Sequence, residues 1–454
     1  MAKFNREKAL RKIEFKRKWR NYSRYVYIAV PCVLCCLLCL YFAYSKFFVS
    51  EEQAVIRTTV GDFIYGDIVI SAYIDGEYSN TIPGKDDGYI VEKVSCDTDA
   101  LCKWNSDDWG IMVTDLSKRT KCNVYFKKKP DSKVPEIIAQ LDTSGKCPTV
   151  NDDGSVNVTG VEATNGYLCK AKDAYGDSYY YRGNVTNNYV KFADKYWRIV
   201  RINGDGTVRV IYDGTSAHAN GEASADRQIG TSAFNSSYND NAYVGYMYGK
   251  TGASTYADAH ANTNNSTIKT YIDDWYKTNI VGTTNEQYLA DNIFCNDRSM
   301  AGNNSGTGAG TSVTYYRWYN GPWESENYSK YNKKMMLTCS QKNDAFTVSD
   351  TTNGNGALTY PVGLLSTDEI ALAGGWNAAN SGYYLYSGQV WWASSPYYFG
   401  GLGAFVRGVY SDGHADGFSD GVGSSHGVRP VFNLKAEVLL QGSGTAEDPY
   451  RISS

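Results

Sequence analysis

Apolar and polar positions fall into three textures along the chain. From Tyr25 to Phe48 the residues are uncharged except for Lys46, after a basic segment that begins at Lys3. An apolar run of about 20 residues suffices for a helix to cross roughly 30 Å of hydrocarbon. The pattern therefore predicts an uncleaved transmembrane helix over 25–48, preceded by a cytoplasmic basic arm over 1–24. Lys and Arg dominate the near flank, whereas Glu51 and Glu52 follow on the far side, so the sequence predicts a single-pass cell-membrane protein with its N-terminus cytoplasmic and its C-terminal domains extracellular. The exit, YSKFFVSEE, lacks the small-x-small pattern of a cleaved signal.

A second texture covers 52–130. Runs such as GDIVISAYID, GYIVEKVSC, WGIMVTDL and CNVYFKK recur about every ten residues between Gly, Asp and Asn turns, which predicts a small β-sandwich domain with Trp104 and Trp109 in its core. Residues 131–165 turn polar and read as a linker with a disulfide-closed segment. From 166 to 454 strands, turns and two helix signals alternate. WRIVRI and VRVIYD flank Asn203-Gly204-Asp205-Gly206, a hairpin signal. Ser266 or Thr267 opens a helix whose apolar face carries Ile268, Tyr271, Ile272, Trp275 and Tyr276. Ser366 or Thr367, followed by Asp368 and Glu369, opens a shorter helix that stops at Gly374-Gly375. Near the end VWWASSP, AFVRGVY and GVRPVFNL predict a three-stranded antiparallel meander.

Charge sharpens the picture. The formal net charge of −3 becomes about −11 once the ten bases and two acids of residues 1–24 are set aside, and an acidic remainder argues against a nucleic-acid partner. Asp273 with Asp274, and Asp368 with Glu369, resemble catalytic acid pairs, but a solvated helix face explains the first and the helix dipole the second. G-x-S-x-G, H-E-x-x-H and Walker-type loops are absent, so no catalytic residue and no cofactor is assigned. Asn157, Asn184 and Asn327 match a glycosylation pattern that Asn-rich loops also generate by chance.

Eleven cysteines divide into two groups. Cys32, Cys35, Cys36 and Cys39 fall in the apolar run and read as small apolar filler, with acylation the functional alternative. The other seven permit disulfides but leave one thiol over. Spacing favours Cys96 with Cys122, Cys147 with Cys169 and Cys295 with Cys339, leaving Cys102. Pairing of Cys96 with Cys102 competes, and spacing does not decide between them. Paired C-x-x-C knuckles are missing, so no metal is assigned.

The segment Trp391-Trp392-Ala393-Ser394-Ser395-Pro396, followed by a strand, a Gly-rich hairpin and Gly427-Val428-Arg429-Pro430-Val431, resembles the closing half of the C-type-lectin-like fold of formylglycine-generating-enzyme-like domains. NYVKFADKYWRIVRI and the closing KAEVLLQGSGTAEDPYRI are similar to segments in surface proteins of Gram-positive gut bacteria. The resemblance spans 166–454 in outline, and its specific motifs are confined to 391–396 and 427–432. It implies an α+β, β-rich chain that ends in a C-type-lectin-like domain. Formylglycine-generating enzymes carry cysteines in the terminal part of this fold, and 340–454 has none, so the resemblance implies binding and no oxidase activity.

In ligand-binding members the recognition surface lies on the last hairpins. Here those positions are Tyr397, Tyr398, Phe399, Arg407, Tyr410, Asp412, His414, Asp416, Phe418, Asp420 and His426. Asp412, Asp416 and Asp420 each precede Gly at four-residue spacing, a pattern that Asp-Gly turns explain without calcium. The combined expectation is a membrane-anchored binding or adhesion protein for an extracellular glycan or protein, with a cell-envelope glycan or peptidoglycan hydrolase as the alternative.

Overall fold

The structure is a computed structural model that describes residues 11, 14–19, 63–65, 68–85, 87–106, 108–114, 119–128, 132–301, 305–319, 334–376, 378–417 and 421–452. The chain divides into two compact units, Met1–Lys129 and Pro130–Ser454. The apolar run 25–48 lies outside the described residues. Among the described residues no helix is long and apolar enough to cross a membrane. The longest of them, Thr267–Asn279, has 13 residues and would reach only about 20 Å at 1.5 Å per residue. The expected fold class is corrected to a β-rich architecture with short helices and no transmembrane helix among the described residues. The expected single-pass cell-membrane localisation is corrected with it.

The first unit contains β1 (Phe63–Tyr65), β2 (Ile68–Ile74), β3 (Glu77–Ser79), β4 (Tyr89–Cys96), β5 (Leu101–Asn105), β6 (Gly110–Thr114) and β7 (Thr120–Lys128). In place of the expected sandwich of antiparallel strands there is one mixed sheet in the order β1-β2-β7-β4, with β3 also on β2, and a separate β5–β6 hairpin. The mixing arises because β2 and β7 run parallel from Ile68↔Thr120 to Ile74↔Phe126. Alternation along these strands buries Ile70, Ala72, Cys122, Val124 and Phe126 on one face, where Ile111 of the hairpin joins them. Trp104 and Trp109 pack on that cluster, with their ring centroids 5.3 Å apart and Trp104 5.6 Å from Phe126.

The second unit continues with β8 (Tyr167–Asp173), β9 (Gly176–Arg182), β10 (Tyr189–Phe192), β11 (Lys195–Ile202), β12 (Val208–Gly214), β13 (Thr231–Ala233), β14 (Met247–Tyr248), β15 (Asn264–Asn265), β16 (Phe294–Cys295), β17 (Thr314–Tyr315), β18 (Ala345–Phe346), β19 (Trp391–Phe399), β20 (Ala404–Val409), β21 (Ala415–Gly417), β22 (Ser425–Gly427), β23 (Val431–Leu434) and β24 (Tyr450–Arg451). Two sheets dominate it. One runs β23-β12-β11-β10-β24, with β9 on β11 and β8 on β9; the other runs β13-β22-β19-β20-β21, with β17 on β19. The β11–β12 hairpin closes where Asn203 N–H donates to Thr207 O at 2.8 Å. Gly206 takes φ 83° there, while Gly204 is needed for space, since a Cβ would sit 2.4 Å from Gly176 N.

The expected meander is corrected at its third strand. β19 and β20 do form an antiparallel hairpin, but GVRPVFNL divides: β22 lies parallel to β19, and β23 crosses to pair with β12. β23 is the end strand of that sheet, yet every residue of it is buried, because isolated bridges from Gly363 to Val431 and from Leu289 to Leu434 cover its outer side. The segment 131–165 supplies Val134 and Ile137 to the main core, and Lys133 N–H donates to Leu439 O at 2.7 Å.

Both signalled helices are present. Ser266 caps Thr267–Asn279 by accepting from Lys269 N–H, and Ile268, Ile272 and Tyr276 face the core. The helix Thr367–Ala373 carries a complete capping box between Ser366 and Glu369 and ends at Gly374 with φ 118°. Its acids do more than face the dipole. Glu369 Oε1 accepts from Arg209 at 2.6 Å and from Arg201 at 3.1 Å, and Arg201 also donates to Asp173 at 2.6 Å. Asp368 takes both terminal nitrogens of Arg317, at 2.7 and 2.8 Å. On the longer helix Asp273 is likewise half-buried and accepts from the fully buried Lys269 at 2.5 Å, so only the exposed Asp274 is a solvated acid.

Removing one partner of a buried ion pair leaves the other charge uncompensated. Glu369→Gln is therefore expected to cost about 3 kcal/mol of unfolding free energy, read as a lower denaturant midpoint. Burial pushes the Glu369 carboxyl up, but Arg209 and Arg201 together hold it below its ordinary value. A depressed folded pKa gives stability that is present above the unfolded value of about 4.3 and lost as pH falls through the folded one. The wild-type advantage should thus shrink in acid, and a gap that stays constant from pH 7 down to pH 3 would count against this role.

Candidate functional site

The closing hairpin gathers aromatic rings because of its register. Tyr398 of β19 pairs with Tyr315 of β17 on one side and Phe405 of β20 on the other. Directly paired residues project from the same face of a sheet, so three strands carry one row of rings. Tyr398 and Phe405 are stacked, with centroids 4.4 Å apart and an interplanar angle of 3°. Tyr319 extends the row, stacked at 4.1 Å on Tyr315 and 5.5 Å from Tyr398. Burial pushes the Tyr319 phenol up to about 12, so it is a neutral hydroxyl at physiological pH.

The turn between β19 and β20, Gly400-Gly401-Leu402-Gly403, leaves these rings uncovered. A Cβ on Gly400 would stand 3.0 Å from the Tyr398 ring, and one on Gly403 3.4 Å from Phe405. Leu402 is 86% exposed at the tip and Tyr238 55% exposed nearby. Tyr238, Tyr398, Leu402 and Phe405, with Gly400, Gly403, Gly421, Gly423 and Ser424, line an open groove of ≈ 620 Å³. That volume lies in the range of small-molecule sites.

Behind the row the platform is fixed by charge. Arg407 is 1% exposed and lies under Tyr397 with its guanidinium carbon 4.3 Å from the ring centroid. Its Nε and Nη2 both donate to Trp318 O, at 3.2 and 2.6 Å. The Trp318 indole N–H in turn donates to Asp368 at 3.2 Å.

The residues expected from the sequence do not form one surface. Tyr397 and Tyr398 belong to the platform. Phe399 is fully buried and Arg407 nearly so, so these two support it from beneath. Tyr410, Asp412 and His414 sit beyond the other end of β20, about 17 Å of strand from Phe405 at roughly 3.4 Å per residue. There Tyr410 and His414 are stacked at 4.8 Å, and Asp412 accepts from His414 Nδ1 at 2.5 Å. Burial pushes the Asp412 carboxyl up, yet the His414 hydrogen bonds hold it below its ordinary value. His426 lies on β22, 4.8 Å from the Trp392 ring. Asp416 lies in β21 opposite Gly408, while Phe418 and Asp420 are outside the described residues. Among the described residues the group of potential metal ligands that converges is Cys96, Cys102 and Cys122.

Sequence reasoning missed Tyr238, Tyr315, Tyr319, Leu402 and Phe405. A lone Leu inside GGLG was one available signal, since an apolar residue at the tip of a glycine turn has no core to enter. Disulfides join Cys147 to Cys169 and Cys295 to Cys339, two of the expected pairs. No family model, curated protein or solved structure matches the chain.

Truncating Tyr398 should unstack Phe405. Tyr398→Ala is expected to lower stability by about 1–2 kcal/mol, combining the lost ring pair and lost burial, and to weaken near-ultraviolet circular dichroism. Tyr398→Phe should preserve both signals; equal losses in the two variants would show that the hydroxyl, and not the ring, holds the platform.

Proposed function

We propose that the second unit is a glycan-binding module and that the row Tyr315, Tyr319, Tyr398 and Phe405 is its platform. The observation that carries this reading is the half-exposed aromatic row beside an open groove whose floor is glycine. Sugar rings present flat C–H faces that settle on aromatic faces, and tyrosines add hydroxyls at low conformational-entropy cost. Among the described residues the groove's lining holds no charged side chain, which suits a neutral glycan better than a charged peptide. The likeness of Trp391–Pro396 and Gly427–Val431 to C-type-lectin-like domains points the same way, as does the position of the platform on the closing hairpin.

The test is a glycan and cell-wall polysaccharide array probed with the full chain under oxidising conditions, followed by calorimetry on the best hit. Retention is expected, with Tyr398→Ala weakening it at least tenfold, equivalent to about 1.4 kcal/mol, and Tyr398→Phe within threefold of wild type. His414→Ala, at the other end of β20, should bind normally. Loss on His414→Ala with none on Tyr398→Ala would move the site away from the platform.

A further inference from the structure

In the first unit three sulfurs meet where only two can be joined. Cys96 ends β4, Cys102 is the second residue of β5, and Cys122 is in β7. Cys96 is placed to form a disulfide with Cys102 and also with Cys122, while the sulfurs of Cys102 and Cys122 are 3.6 Å apart. All three lie within 4.8 Å of one another. A disulfide sulfur has one partner, so each molecule holds one pairing and keeps the third cysteine as a thiol touching the bond it is left out of.

The two pairings do different work. Cys96 and Cys122 already face each other across the β4–β7 ladder, with Cα atoms 4.1 Å apart, so that bond joins strands already tied by hydrogen bonds. Cys96 and Cys102, with Cα atoms 6.5 Å apart, join the end of the sheet to the β5–β6 hairpin, which otherwise belongs to a separate ladder. Access differs too. Cys122 is fully buried in the core, whereas Cys96 and Cys102 are half-buried, so the thiol left over is reachable in one state and sheltered in the other.

We propose that Cys96, Cys102 and Cys122 form a thiol–disulfide exchange site in which Cys96 alternates between its two neighbours. The Cys102 thiolate attacks Cys96 Sγ; the Cys96–Cys102 bond forms, the Cys96–Cys122 bond breaks, and Cys122 leaves as a thiolate that takes up the proton Cys102 lost. The chain stays at one disulfide and one thiol in this cluster throughout, so no oxidant or reductant is consumed. The rate follows the thiolate fraction of the attacking cysteine.

The test is thiol mapping of the full chain. Protein held at pH 8 is quenched with acid, alkylated, digested without reductant and read by mass spectrometry. Both Cys96–Cys102 and Cys96–Cys122 peptides are expected, with one alkylated cysteine per chain divided between Cys122 and Cys102. Exchange after a pH jump should quicken as pH rises, because the thiolate is the attacking species. Cys122→Ser should give only Cys96–Cys102, and Cys102→Ser only Cys96–Cys122. A single pairing in wild type, with the third cysteine fully alkylated, overturns the proposal. So does one equivalent of retained zinc with all three cysteines reduced. Because the decisive reading is on wild type, a variant that fails to fold does not rescue it.

Discussion

The second unit depends on burying guanidinium groups without leaving them unpaired. A charge taken out of water is tolerated only where opposite charge and further hydrogen bonds replace the lost hydration. Asp213, itself fully buried, accepts from Arg227 at 2.8 Å and Arg429 at 2.9 Å, with Arg198 at 3.9 Å. One carboxylate cannot satisfy three cations, and the remaining donors go to main-chain carbonyls and amide side chains: Arg429 to the carbonyls of Tyr212 and Leu385, Arg227 to those of Glu222 and Tyr384, and Arg198 to that of Val185 and to the amide oxygens of Asn188 and Asn220. Burial lowers Arg429 to about 10 against the pull of Asp213, which leaves it charged at neutral pH. Each arginine therefore clamps loops far apart in the chain. This is how a segment rich in Asn, Gly and Ser keeps a single arrangement despite long connections.

The same device reaches the aromatic platform. Asp368 receives Arg317 and the Trp318 indole, the Trp318 carbonyl receives Arg407, and Arg407 supports Tyr397. The capping box sets the start of this chain, because Ser366 and Glu369 fix the first turn on which Asp368 sits. Rings that are half-exposed would otherwise have several rotamers open to them. Held from below by a buried cation and from the sides by cross-strand partners, they face solvent already ordered, and an ordered surface loses less entropy when it binds.

What the sequence made legible follows from how local each signal is. The helix caps at Ser266 and Ser366, the Asn203–Gly206 hairpin and two disulfides depend on neighbours a few residues apart or on cysteine spacing, and all were readable. The β10–β11 hairpin turns through Ala193-Asp194 with φ 50° and 56°, residues that carry a weaker turn signal than Asn-Gly. The crossing of β23 to β12 was hidden because an apolar run fits either sheet until Arg429 meets Asp213. Asp368, Glu369 and Asp273 read as dipole or solvent-facing acids, since nothing local announces arginines or a buried lysine as partners. The platform was half legible: Tyr397 and Tyr398 came from the resemblance, while Tyr315 and Phe405 join them only through register.

Register also explains why the expected recognition surface separates into parts. A strand of six residues spans roughly 20 Å, so Phe405 near the start of β20 and Tyr410 past its end cannot meet one small ligand. Each end has its own chemistry. One presents uncharged rings and glycine, the other a His414–Asp412 pair stacked beneath Tyr410. Between the two ends Arg407 is buried under Tyr397 and offers a ligand no exposed charge. The neutral end, with its groove, is thus the part of the closing hairpin in which shape, exposure and preorganisation coincide.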